Sequence, residues 1–186
     1  MTNIKKNAAL RKRQRTVNKL RCIWGQLSPY IARALDGPVF HQKNTNGCVV
    51  VASFGLLRLL GITGATEWME TYREMKKLHG NRGLVLEEFC DWLKRNRPEF
   101  PLLRVVTFAE ALRIYTKTKQ PFLYTGDNHC MIFLGIDKSK GDSIFLNSYG
   151  PFHSSAGFQI RGVRLTKRLA LDCAVIVDPP QPNHDS

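Results

Sequence analysis

The sequence predicts an α+β fold in which a helical first half leads into a C-terminal antiparallel β-sheet. Three observations predict it. From residue 47 to residue 120 apolar side chains recur at intervals of three and four, the period of a helix. From residue 122 onward they gather in short runs rich in β-branched and aromatic residues, and helices before strands is the order of an α+β domain, not a doubly wound one. The third observation is size: 186 residues, 43% of them hydrophobic, suffice for one domain whose core needs no disulfide or metal.

Taken in order, residues 1–35 read as a basic helical arm with Leu10, Val17, Leu20 and Trp24 near one stripe, closed by the turn Asp36-Gly37-Pro38. The domain proper spans residues 36–178. After Gly47, the run from Cys48 to Leu60 is apolar nearly all round and predicts a buried helix ending at Gly61. A helix from about Thr66 carries Trp68, Met69, Tyr72, Met75 and Leu78 as its inner stripe and stops at His79-Gly80. Leu86, Phe89, Trp92 and Leu93 mark the next, which must end before Pro98. Thr107 and Glu110 form a capping box ahead of EALRIYTKTK, and Pro121 ends that helix. Strands are then expected at 122–125, 129–136, 143–149, 158–165 and 173–178, and a disordered tail at 179–186.

The charge is lopsided. The chain carries a formal +13, and nine of its bases precede the first acid, Asp36, so residues 36–186 hold only +4. The arm therefore suits non-specific contact with nucleic acid or an acidic surface. Its two aromatics, Trp24 and Tyr30, follow the cluster of bases and form no stacking pattern. Five scattered cysteines without close-spaced pairs argue against a disulfide framework or a zinc ribbon and for an intracellular, cytoplasmic setting. An Arg-rich, acid-free start also fits a mitochondrial presequence. The longest apolar stretch, 48–57, is too short to span a bilayer, so no transmembrane segment is expected.

One set of residues carries chemistry. Cys48 opens the most apolar helix, where the macrodipole favours thiolate and the backbone N–H groups of the first turn lack helical partners. Gln42, six residues upstream, is a neutral amide able to give a second hydrogen bond to an oxyanion, a donor typically worth about 2.7–4 kcal/mol of barrier. His129 heads a hydrophobic strand behind Gly126-Asp127-Asn128, with Met131 and Phe133 on its face. Asn147 ends the apolar part of the next strand, so a short hairpin would bring it beside His129 to fix the imidazole tautomer. His41 precedes the nucleophile, His153 follows a Gly-Pro turn as a rim residue, and Cys130 points to the opposite face from His129 and belongs to the core. Each residue taken alone has a plainer role, as core thiol, strand-end histidine or turn asparagine. No cofactor is expected, and Cys48, Cys130 and His129 lack a fourth ligand for a metal.

The order Cys48, His129, Asn147, with Gln42 before the cysteine and Asn147-Ser148-Tyr149-Gly150 at the third member, resembles the papain-like cysteine peptidases. The glutamine-to-cysteine spacing is similar also to the bacteriocin-leader peptidases, whose third residue is Asp. The resemblance covers roughly residues 38–178 and implies a nucleophile helix packed on the sheet, Cys48 as nucleophile, His129 as base, Asn147 as its orienting partner and Gln42 in the oxyanion hole. It implies a protein or peptide substrate. The chain departs from papain in having Val49 rather than an aromatic after the nucleophile, in lacking the disulfide cysteines of secreted members, and in its shortened inter-strand segments. Such a reduced form suits a viral or phage protease acting in the host cytoplasm, or a bacterial member of the wider superfamily. The same machinery serves a deamidase or acyltransferase, and the contrasting expectation is a catalytically silent scaffold that the basic arm carries to nucleic acid.

Overall fold

The structure is a computed structural model, and it describes residues 47–62, 68–80, 84–126, 129–136, 142–147, 159–164 and 173–178. The arm, Gln42, His41, His153 and the tail at 179–186 lie outside the described residues.

Four helices and six strands are described: α1 (Cys48–Leu59), α2 (Trp68–His79), α3 (Leu86–Asn96), β1 (Leu103–Thr107), α4 (Phe108–Thr118), β2 (Phe122–Gly126), β3 (His129–Ile136), β4 (Asp142–Asn147), β5 (Gln159–Arg164) and β6 (Cys173–Val177). The strands form one sheet in the order β1-β6-β2-β3-β4-β5, with every neighbouring pair antiparallel. The α+β class expected from the sequence is what the described residues adopt, but the segregation is incomplete, because β1 precedes α4. Since β6 runs antiparallel to both β1 and β2, those two strands are parallel and two places apart. A hairpin cannot join parallel strands, so the chain needs a crossover, and α4 supplies it.

Alternation along the strands gives the sheet two apolar faces. On one, Leu123, Cys130, Ile132, Leu134, Ile144 and Val175 pack with α1, α3 and Met75 of α2. On the other, Phe122, Tyr124, Met131, Phe133 and Phe145 pack with Phe108 and Ala111 of α4. Phe122 and Phe133 stack at 4.5 Å between ring centroids, and Phe108 meets Tyr124 edge-on at 5.4 Å, arrangements that add to the burial of their area. Within α1 every residue but Arg58 is buried, as its uniform apolarity predicts. The inner side of α2 is narrower than its periodicity suggests: Met75 is buried, while Leu78, in the last turn, is 64% exposed.

Local signals account for several boundaries. The Thr107 hydroxyl accepts the Glu110 N–H at 3.2 Å, the cap expected from the sequence. Helix α4 closes with Lys119 in the left-handed conformation, its N–H donating to the Tyr115 carbonyl at 2.7 Å. In β3 the register slips between Phe133 and Gly135, a β-bulge at which Gly135 has φ +157°. A Cβ there would lie 2.8 Å from the Tyr115 hydroxyl oxygen, so both backbone and neighbour call for glycine.

Candidate functional site

Helix α1 packs against β3 with its first residue toward the strand's head. Burial pushes the Cys48 thiol above 9.0, against the pull of the backbone N–H groups of Cys130, Val49 and Cys48 itself, which face the sulfur. The two local amides are those of the helix's first turn, as expected for a thiol at a helix N-terminus. The direction of the net shift is opposite to the sequence expectation. The reason is that α1 is wrapped on all sides, and taking a thiolate out of water outweighs three amide dipoles.

At the head of β3, His129 and Asn147 meet. The His129 Nε2 to Asn147 Oδ1 distance is 2.6 Å, and Asn147 is only 2% exposed. The β3–β4 register that pairs Ile132 with Leu146 sets Asn147 across from Met131, one diagonal step from His129. An amide oxygen can only accept, so Nε2 donates the ring hydrogen in this bond, and in the neutral ring the lone pair would lie on Nδ1. That is the tautomer a base needs on the side of the ring away from the asparagine.

Alternation places His129 on the face of Met131 and Phe133, whereas Cys48 belongs to the core on the Cys130 face. What links them is the Cys48 sulfur's hydrogen bond from the backbone N–H of Cys130, the residue next to His129. Cys130 itself is fully buried, as expected, and its thiol is held well above 9.0 by burial, with Cys48 and Cys90 adding to the effect.

Gly47 precedes Cys48 as the N-cap of α1, and Tyr72 of α2 lies against it: a Cβ on Gly47 would meet the Tyr72 ring at 2.9 Å. In the sequence Tyr72 is one more residue of a helical stripe. Its contact with Gly47 arises only when α2 docks on α1, so no local pattern could have marked it. Among the described residues no group of three or more His, Cys, Asp or Glu could hold a metal ion, and no helix is long and apolar enough to cross a membrane.

Compared with protein families, characterised proteins and solved structures, the chain matches none of them.

Proposed function

We propose that the chain is a cysteine amide hydrolase of papain-like fold, acting on protein or peptide substrates. The observation that carries this reading is the part-buried 2.6 Å contact between His129 Nε2 and Asn147 Oδ1, on the strand where the backbone N–H of the next residue, Cys130, reaches the Cys48 sulfur. An asparagine that fixes the tautomer suits an imidazole whose other ring nitrogen takes and gives a proton.

In the reaction proposed, the Cys48 S–H proton passes to His129 Nδ1 as the sulfur attacks the substrate carbonyl carbon. The tetrahedral oxyanion takes hydrogen bonds from the Cys48 N–H and from Gln42, the donor that the sequence resemblance supplies. His129 then returns the proton to the departing amine as the C–N bond breaks. Water, deprotonated by the same imidazole, cleaves the thioester and regenerates the thiol. Because the buried thiol is a weak acid by itself, the pairing with His129 must supply the thiolate.

The test is incubation of the full chain and its Cys48→Ala variant with a peptide library, read by mass spectrometry. Cleavage by the wild type alone supports peptidase action. A shift of about one dalton without cleavage identifies deamidation by the same groups. Neither product, together with salt-sensitive retention on nucleic acid, would replace this reading with that of a binding scaffold.

A further inference from the structure

The backbone does not require glycine at position 47. Its φ of −99° and ψ of 7° are open to any L-residue. What bars a side chain is the Tyr72 ring: an added Cβ would lie 2.9 Å from Cε2, 3.3 Å from Cδ2 and 3.7 Å from Cζ. The first turn of α1 also lacks a side-chain cap, since Gly47 has no group to accept its N–H donors. Helix starts normally place Ser, Thr, Asp or Asn there, and the cap both fixes the turn and occupies a donor.

These two facts fit together. A capping side chain at Gly47 would hold the turn but consume the N–H of Val49 or Val50, and the Val49 N–H is one of those that face the Cys48 sulfur. An uncapped glycine leaves the donors to the site but gives the chain freedom at the residue where orientation matters most. A ring pressed on the Gly47 Cα removes that freedom by steric contact. Tyr72 is half-buried and rides on α2, whose neighbours Thr71 and Met75 are each 1% exposed, so the ring is carried by a fixed element.

We propose that Tyr72 is a positioning residue that clamps the Gly47–Cys48 turn in place of an N-cap, so that the Cys48 N–H is aimed at the oxyanion. The proposal rests on the hydrolase reading above. It separates two reactions of the same sulfur: acylation by p-nitrophenyl acetate passes through a tetrahedral oxyanion, whereas alkylation by iodoacetamide does not.

The experiment measures both rates at Cys48 in the full chain, for the wild type, Tyr72→Ala, Tyr72→Phe and the double variant Gly47→Ala/Tyr72→Ala, with thermal melting as a check on folding. Misplacing a reacting group by about 1 Å costs on the order of a hundredfold. Tyr72→Ala should therefore lower acylation by about tenfold to a hundredfold while alkylation stays within about twofold. Tyr72→Phe keeps the ring and should acylate as the wild type does. The double variant should be no worse than Tyr72→Ala, because the Cβ now enters vacated space. Equal acylation by wild type and Tyr72→Ala overturns the proposal, as does a parallel fall of both rates or an intermediate loss in Tyr72→Phe. A wild type whose Cys48 is not acylated at all overturns the hydrolase reading itself, and the clamp with it.

Discussion

Replacing His129 with alanine should turn Cys48 from a thiol reactive in mild acid into an inert one. By itself the sulfur is a poor nucleophile, since burial sets its pKa above 9.0. At pH 6 a thiol of that pKa is thiolate in fewer than about one molecule in a thousand. An imidazole that takes the proton changes this, because the ion pair persists down to the pH at which the thiolate itself is protonated. A thiolate of lower pKa is intrinsically less nucleophilic, with a Brønsted slope of about 0.4–0.5. If pairing lowers the thiol pKa by about three units, about half of the thiol is ionised at pH 6 and this offset is about twentyfold, so the net advantage of the wild type there is roughly twenty-five-fold. The assay is iodoacetamide labelling from pH 4 to pH 10, followed by peptide mapping, with the exposed Cys173 as internal reference. Wild-type Cys48 should show a reactive plateau extending below neutrality. In His129→Ala only an inflection above 9 should remain. A wild-type profile with that single alkaline inflection, unmoved by the substitution, would refute the thiol–imidazole pairing and the mechanism built on it.

Three further outcomes are expected. Asn147→Ala removes the partner of His129 Nε2 at a buried position, and should cost about 1–3 kcal/mol in chemical denaturation and lower the acylation rate at least about tenfold; wild-type acylation in this variant would show that the contact only supports the fold. Gly135→Ala forces a Cβ to 2.8 Å from the Tyr115 oxygen at positive φ, and a urea titration should show a loss of about 1–3 kcal/mol, partly recovered by adding Tyr115→Phe. Cys90 is pushed up to about 12 by burial, with Glu87 and Asp91 adding to the effect, whereas the unfolded thiol ionises near 9.0. The folded chain therefore holds a proton that the unfolded chain releases, so stability is full below pH 9 and falls toward pH 12 by at most about 1.4 kcal/mol per unit. Cys90→Ala should flatten this alkaline limb, and an unchanged slope would mean that the thiol is not shielded from water.

Much of the fold was legible where a residue's own neighbours decide its structure. The unbroken apolar run after Gly47 marks α1, and the Thr107–Glu110 pair marks the start of α4 by a bond that does form. The nearness of His129 and Asn147 followed from two apolar runs separated by a short polar loop, since such strands pair with each other first. What sequence alone could not supply depends on distant partners. Leu103–Thr107 is five residues long with Arg104 near its middle, and it is a strand because β6 pairs with it from about seventy residues further along the chain. The sign of the Cys48 shift was equally hidden: the helix dipole can be read from position, but burial depends on how many elements close over the sulfur. Leu78 shares the spacing of a core residue, yet no element packs over it closely enough to bury it.

A helix apolar on every side, like α1, has no independent existence in water. Its leading thiol acquires any special chemistry only after the surrounding layers have closed around it, including strands contributed by the last third of the sequence. Reactivity at this sulfur should therefore appear late during synthesis and vanish early under mild denaturant, which would make it a sensitive gauge of whether the whole chain has assembled.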